Sequence, residues 1–231
     1  MPLPPDRVAA PGGPWCAEGV PSAPGPAGPP DETGAGPGPA RLVVVRHGAT
    51  AWSLAGRHTG RTDLPLVELG VRQAEAVGRR LRGARFALVL TSPMARARQT
   101  CALAGFGDVA ETTDDLREWD YGAYEGRTTE EILAERPGWS LWRDGAPGGE
   151  DLADVAGRAE RVIATARAAP GDVLAFAHGH LLRVLGACWT GRDPGFGAVL
   201  MLDAGSLSVL GYERAQAAVR CWNDVADHPP V

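Results

Sequence analysis

Short runs of apolar residues alternate along this chain with segments whose apolar residues follow a helical period. The runs at residues 41–46, 86–90 and 173–177 are brief and rich in Val, Leu and Phe, which predicts buried strands. Residues 199–202 and 207–212 are predicted as two further strands, joined by a turn near residue 204. The alternation predicts an α/β protein, a three-layer αβα sandwich with a mostly parallel central sheet and helices on both faces.

The helical segments show apolar residues on one side and polar residues on the other. Within residues 68–83 the apolar positions recur at i, i+3, i+4 and i+7, which is one face of a helix. After the second strand, Ser92 is predicted to cap a helix that Pro93 opens. Further helices are predicted at residues 129–135, after the N-cap residue Asp151, and at residues 180–189.

The first 40 residues differ from the rest in composition. They hold 12 of the 20 prolines and 8 of the 31 glycines, and few large apolar side chains. Such a segment cannot bury enough apolar surface to offset the entropy lost on ordering. We therefore expect residues 1–40 to be a disordered leader and residues 41–231 to be the folded domain. The leader lacks the basic start and apolar stretch of a signal peptide.

Composition also narrows the chemistry. All 23 basic residues are arginine, so a lysine general base, a Schiff-base lysine and a phosphate loop ending in Gly-Lys are excluded. Any phosphate group must be held by arginine, whose planar guanidinium suits two-point contact with oxyanions. The net charge of −5 provides no basic field for nucleic acid or an anionic membrane surface, and no partner of either kind is expected. No apolar stretch approaches the roughly 20 residues of a membrane span.

The four cysteines lie far apart in the sequence, without metal-ligand or redox spacing. We expect them to be ordinary reduced thiols of a cytoplasmic protein.

Two strand-like runs end in the same pair of residues, which is the main chemical signal. His47-Gly48 follows the first strand and His178-Gly179 follows the third. Parallel strands of one sheet would bring both histidines to the same edge, where α/β proteins bind ligands. Arg46 directly precedes His47, so this edge is suited to an anionic substrate.

Three further features carry possible chemistry. Arg96 lies in the first turn of the helix after the second strand, near the same edge. Residues 116–126 hold several carboxylates, and a carboxyl group flanked by Trp119 and Tyr121 could have reduced access to water; alternatively, any one of these acids is a surface charge. His180 completes a His-x-His pair with His178, but the companion ligands of a metal site are missing nearby, and no metal is predicted.

Taken together, these motifs resemble the histidine phosphatase (phosphoglycerate mutase-like) superfamily. The matching motifs are Arg46-His47-Gly48, Arg96-Ala97, Glu118 within Leu-Arg-Glu, and His178-Gly179, and the likeness runs from about residue 41 to residue 225. Stretches around residues 58–66 and 118–122 are most similar to the sugar-phosphatase branch, which includes fungal sedoheptulose-1,7-bisphosphatase. The resemblance implies the phosphoglycerate mutase-like fold.

The resemblance also implies roles for individual residues. His47 would be the nucleophile that becomes phosphohistidine, with Arg46, Arg96 and His178 clamping the phosphoryl oxygens and Glu118 serving as acid and then base. Positive charge around His47 would lower its pKa and keep the imidazole neutral. Substrate contacts are implied at Ser53, Thr59, Gly60, Tyr121, Gly179 and His180.

The function implied is a phosphomonoesterase that needs neither metal nor cofactor and acts on a small phosphorylated metabolite, such as a sugar phosphate or bisphosphate. Two alternatives stay open at this point. A phosphoglycerate mutase would share the nucleophile but return the phosphoryl group to its product. A catalytically silent module would bind the phosphorylated ligand without turnover. The sequence contains no signal for the oligomeric state.

Overall fold

The structure is a computed structural model that describes residues 39–225. The predicted leader, apart from its last two residues, lies outside the described residues. Six strands form one sheet in the order β3-β2-β4-β1-β5-β6. The first four in this order run parallel to one another, β5 is antiparallel to β1, and β6 is antiparallel to β5. The strands are β1 (Leu42–Arg46), β2 (Leu88–Thr91), β3 (Glu111–Thr112), β4 (Val173–Ala177), β5 (Leu207–Glu213) and β6 (Gln216–Asp224).

Seven α-helices connect the strands within the described residues. They are α1 (Ala51–Leu54), α2 (Glu68–Arg80), α3 (Ala95–Leu103), α4 (Thr129–Glu135), α5 (Leu141–Asp144), α6 (Leu152–Ala168) and α7 (Gly179–Trp189). Short 3-10 turns lie at Asp114–Leu116, Gly122–Tyr124 and Pro194–Val199. The caps follow the local sequence: Asp151 accepts from the backbone N–H of Asp154, whose carboxylate accepts from the N–H of Asp151.

Helices cover both faces of the sheet, which confirms the predicted three-layer fold. Alternate residues of a strand point to opposite faces. Val43 and Val45 of β1 pack in one core with Val77 of α2 and Cys101 of α3. The intervening residues of β1 pack in a second core with α6 and α7.

Two local predictions are wrong. In each case, side-chain hydrogen bonds hold the nearby backbone in another conformation. Residues 199–202 do not form a strand: the Pro194–Val199 turn occupies this region, and Arg183 donates to the carbonyls of Gly197 and Ala198. The helix predicted to open at Pro93 begins instead at Ala95. The hydroxyl of Ser92 bonds His178 and accepts from the N–H of residue 94.

The thiols of Cys101 and Cys188 are free, and burial raises their pKa to about 12 and about 11. Cys16 lies outside the described residues, and the expectation that all four cysteines are reduced stays a prediction. Separately, none of the helices in the described range combines the length and apolar character needed to cross a bilayer.

Candidate active site

The two His-Gly pairs meet at one edge of the sheet, as the strand directions predicted. β1 and β4 are parallel neighbours with Arg46 opposite Ala177, and the backbone N–H of His47 donates to the Ala177 carbonyl over 2.9 Å. The His47 and His178 rings lie with their centroids 5.1 Å apart in an edge-to-face arrangement. The carboxyl ends of two adjacent strands therefore bring together residues 131 positions apart in the chain.

His47 is held as a neutral imidazole with one defined tautomer. Its Nδ1 lies 2.8 Å from the carbonyl oxygen of Gly48, and because a carbonyl can only accept, Nδ1 carries the proton. Burial lowers the pKa of His47 well below its usual value, and the guanidinium groups of Arg96 and Arg46 lower it further. Nε2 therefore keeps its lone pair, which is what a nucleophile requires.

Glycine at position 48 is required by the backbone of α2. A Cβ added to Gly48 would lie 2.3 Å from the carbonyl oxygen of Gly70, and one added to Gly70 would lie 2.2 Å from the carbonyl oxygen of Ala49. The loop that carries His47 is thus packed directly on the first turn of α2.

Arg46 presents an unsatisfied donor beside His47. Its Nη1 donates to the carbonyl of Leu202, but its buried Nε has no hydrogen-bond partner within the described residues. Gly179 leaves the space beside this group, because a Cβ there would lie 3.3 Å from Nε. A buried donor without a partner costs free energy that an anion bound beside it would recover.

Arg96 and His178 contact each other behind the cavity wall. The Nε of Arg96 donates to Nδ1 of His178 over 3.1 Å, and Nε2 of His178 lies 2.8 Å from the hydroxyl of Ser92. The remaining donors of Arg96 bond the carbonyls of Thr59, Gly60 and Thr62. Neither Arg96 nor His178 lines the cavity, and neither does Gly60. Arg96 and His178 would reach a phosphoryl group only by exchanging these partners.

The His178-Gly179-His180 segment does not gather metal ligands in this arrangement. Both ring nitrogens of His178 are already engaged. Across residues 39–225, no three His, Cys, Asp or Glu side chains come together in a way that could hold a metal ion.

Glu118 sits at the N-terminal end of α7 and, like His47, lines the cavity. Its Oε1 accepts from the backbone N–H groups of Trp119 and Leu181, at 3.0 and 2.9 Å, and its Oε2 accepts from that of His180 at 3.1 Å. The first N–H groups of a helix lack partners within the helix and favour negative charge. The side chain is buried, with 8% exposure, yet it lines the cavity.

Tyr121 holds the ring of His180 in place. Burial raises the pKa of Tyr121 well above its usual value, so the phenol keeps its proton, and its hydroxyl is hydrogen-bonded to Nδ1 of His180 over 2.7 Å. Burial, aided by Arg183, lowers the pKa of His180 well below its usual value. His180 therefore lines the cavity as a neutral ring. We call His47, His178 and His180 the three site histidines.

These groups surround a cavity of about 380 Å³. Ser53, Thr59, Tyr121, Gly179 and His180, all implicated by sequence, lie in its wall together with Arg46, His47 and Glu118. Sequence reasoning missed other wall residues, among them Arg57 and Arg183. Arg183 could have been found, because it lies four residues after Gly179 and so on the same face of α7. The wall residues are Arg46, His47, Ser53, Gly56, Arg57, His58, Thr59, Glu118, Tyr121, Thr129, Trp139, Ser140, Leu141, Trp142, Gly179, His180, Arg183 and Leu202.

Fold and site together define an α/β enzyme whose cavity, at the carboxyl ends of parallel strands, receives an anion. The sequence profile of the histidine phosphatase superfamily (branch 1) matches residues 42–225, and the chain belongs to this family.

Similar proteins of known name include both phosphatases and phosphoglycerate mutases. An acid phosphatase of Mycobacterium tuberculosis is 40% identical over 177 residues, which cover 75% of this chain and 87% of that protein. The sedoheptulose 1,7-bisphosphatase of Saccharomyces cerevisiae is 39% identical over 184 residues, covering 65% and 68%. The solved structure of a mycobacterial glucosyl-3-phosphoglycerate phosphatase in complex with VO3 superposes with a TM-score of 0.71, at 30% identity, and covers 80% of this chain and 98% of that one.

Proposed function

We propose that this protein is a phosphomonoesterase that hydrolyses a small phosphorylated metabolite through a phosphohistidine on His47. The observation that carries the proposal is the bond from Nδ1 of His47 to the Gly48 carbonyl, which leaves the Nε2 lone pair of a neutral ring at the cavity. A neutral nucleophile avoids the repulsion that an anionic one meets at a phosphate dianion.

In the first step, Nε2 of His47 attacks phosphorus, and the bond between phosphorus and the ester oxygen breaks. The leaving oxygen takes a proton from Glu118, which lines the same cavity and acts here in its protonated form. In the second step, Glu118 takes a proton from water, the resulting hydroxide attacks phosphorus, and the P–N bond breaks. Inorganic phosphate leaves, and both His47 and Glu118 return to their starting protonation states.

Arginine side chains supply the positive charge for this reaction. The free Nε of Arg46 is suited to a phosphoryl oxygen. Arg96 and His178 would join it after giving up their present partners, a tightening that occurs in many enzymes only when substrate is bound. No metal or cofactor takes part in the proposed steps.

The substrate is proposed to be a sugar phosphate or bisphosphate, and the enzyme to act in the cytoplasm. Substrate contacts are assigned to Ser53, Thr59, Gly60, Tyr121, Gly179 and His180. Three of these, Ser53, Thr59 and Tyr121, carry hydroxyl groups and line the cavity together with the His180 ring, so the cavity can bond the hydroxyl groups of a sugar.

Rapid quenching of turnover with labelled substrate tests the proposal. We expect an acid-labile adduct on His47 in the native protein and neither adduct nor phosphate release in His47→Ala. Arg96 and Arg98 lie on the same helix, α3. Arg96→Gln is expected to lose most activity, whereas Arg98→Gln, which changes an exposed side chain, should keep it. Normal phosphate release by His47→Ala would contradict the mechanism.

The same assay separates the alternatives. Incubation with 3-phosphoglycerate and a bisphosphoglycerate primer would yield the isomer without free phosphate if the protein were a mutase. Binding of phosphorylated ligands without phosphate release or adduct would indicate a silent module.

A further inference from the structure

Arg183 is a half-buried cation whose side chain is held rigidly at the cavity. Its Nε donates to the carbonyl of Gly197 and its Nη2 to that of Ala198, both over 2.9 Å. The guanidinium stacks on the ring of Trp142, with its carbon 4.7 Å from the ring centroid. One edge and one face of the group are thus occupied by protein, which fixes its orientation. The residue is part of the cavity wall.

No carboxylate pairs directly with this cation. None of the described Asp or Glu side chains lies within ion-pair distance of Arg183, whereas Arg57, also in the cavity wall, pairs with Glu131 at 3.4 Å. Nη1 of Arg183 has no hydrogen-bond partner among residues 39–225. Burial lowers the pKa of Arg183, and the more distant charge of Glu118 opposes this shift. An anion in the cavity would give the guanidinium the direct partner that it lacks.

The position of Arg183 separates it from the reacting phosphoryl group. Gly179, at the start of α7, lies against Nε of Arg46, the donor assigned to that group. Arg183 is four residues further along the helix, which corresponds to about 6 Å along its axis. A single phosphate bound at Arg46 would therefore leave Arg183 without a counter-charge. The cavity of about 380 Å³ lies in the range of small-molecule pockets and has room for more than one phosphoryl group.

We infer that Arg183 binds a second anionic group of the substrate, so that the preferred substrate is a hydroxylated metabolite with two anionic ends. One end is the phosphoryl group transferred to His47, and the other is retained in the product. This inference rests on the proposed function and narrows it from sugar phosphates in general to doubly anionic ones. Between the two ends, His180 and Trp142, which both line the cavity, would contact the carbon chain.

Comparison of three kinds of substrate tests this inference. We would measure kcat/KM for phosphate release from fructose 1,6-bisphosphate, from its two monophosphates and from a phosphorylated sugar acid. The native enzyme should prefer the bisphosphate by about 10-fold or more, which is the scale of a charge-assisted hydrogen bond. A comparable preference for the phosphorylated sugar acid would show that a carboxylate also serves as the second anion.

Arg183→Gln should remove this preference. We expect kcat/KM for the bisphosphate to fall about 10- to 100-fold, mainly through KM, and that for the monophosphates to change less than about 3-fold. The matched control is Arg167→Gln. Arg167 also stacks on a tryptophan, Trp189, at 5.0 Å and donates to its carbonyl, but it lies outside the cavity wall. This control should leave both substrates unaffected.

Equal losses for bisphosphate and monophosphates in Arg183→Gln, or no preference for a second anion in the native enzyme, would overturn the inference. If Arg183→Gln does not fold, Arg183→Lys takes its place, since it keeps the charge but not the fork geometry. It should raise KM for the bisphosphate selectively.

Failure of the proposed function would look different. No substrate would then release phosphate, yet calorimetry on His47→Ala should still detect bisphosphate binding that depends on Arg183. Absence of such binding would overturn the inference independently of catalysis.

Discussion

Replacing Arg158 by methionine is expected to loosen the segment that carries Glu118. Arg158 lies on α6 and makes a two-point ion pair with Glu150, with both N–O distances at 2.8 Å. The same guanidinium donates to the carbonyls of Asp115, Arg117 and Glu118 at 3.2, 2.7 and 3.4 Å. One side chain thus ties two loops to the helix. Methionine keeps most of the apolar stem and removes all five bonds.

The size of the effect follows from burial. Removing one partner of a buried ion pair costs about 3–5 kcal/mol, because the other charge is left uncompensated. The side chains of Arg158 and Glu150 are 12% and 24% exposed, so water offsets part of this, and we expect a loss of about 2–4 kcal/mol. For a domain of this size, each kcal/mol lowers Tm by about 2–4 °C, which gives a fall of roughly 5–15 °C.

Urea denaturation followed by circular dichroism, together with kcat below the transition, measures both consequences. The control is Arg161→Met on the same helix. Arg161 pairs with Asp115 at 2.7 Å but is 61% exposed, so its loss should change the stability far less than that of Arg158. We also expect kcat to fall by about 10- to 100-fold in Arg158→Met, because Glu118 loses its position. Equal destabilisation by the two variants, with kcat preserved, would refute the reasoning.

Three further changes test other parts of the structure. Gly48→Ala should destabilise the protein by about 1–3 kcal/mol in urea, because its Cβ would meet the Gly70 carbonyl at 2.3 Å; an unchanged midpoint would show that the loop can move away. Tyr121→Phe should cost about 1–3 kcal/mol by the same measurement, since Nδ1 of His180 loses its hydrogen-bond partner, and retained stability would mean that another group replaces it. Lower pH should also destabilise the fold, because the pKa values of the three site histidines lie below their usual range. From about pH 6.5 downwards, the unfolded chain therefore binds protons that the folded protein does not. Unfolding free energies that stay level between about pH 7.5 and 5 would contradict this assignment.

Much of the fold could be predicted because its signals are local. The apolar runs of β1, β2 and β4 are short and continuous, as expected for strands buried on both faces. The N-terminus of α6 depends on Asp151 and Asp154, three residues apart. The meeting of His47 with His178 was also predictable, because strands that run in one direction end at one edge.

Edge and surface segments were predicted less well. β6, at the sheet edge, was not predicted, because most of its residues are partly exposed and its apolar and polar residues do not alternate cleanly. Residues 199–202 looked like a strand from their apolar character alone, but Val199 and Met201 are each 67% exposed. In that region Arg183 bonds the preceding carbonyls, an outcome that no neighbouring residue encodes.

By itself, therefore, the sequence determined the strands β1, β2, β4 and β5, the longer helices and the edge at which the reactive histidines meet, since these depend on residues a few positions apart and on strand direction. Only the tertiary structure decided the charge environment of the site. Glu118 caps α7 across 63 residues, and Arg96 bonds His178 across 82. Such bonds form only where folding brings a donor within about 3 Å of an acceptor. Local pattern carries no information about that distance.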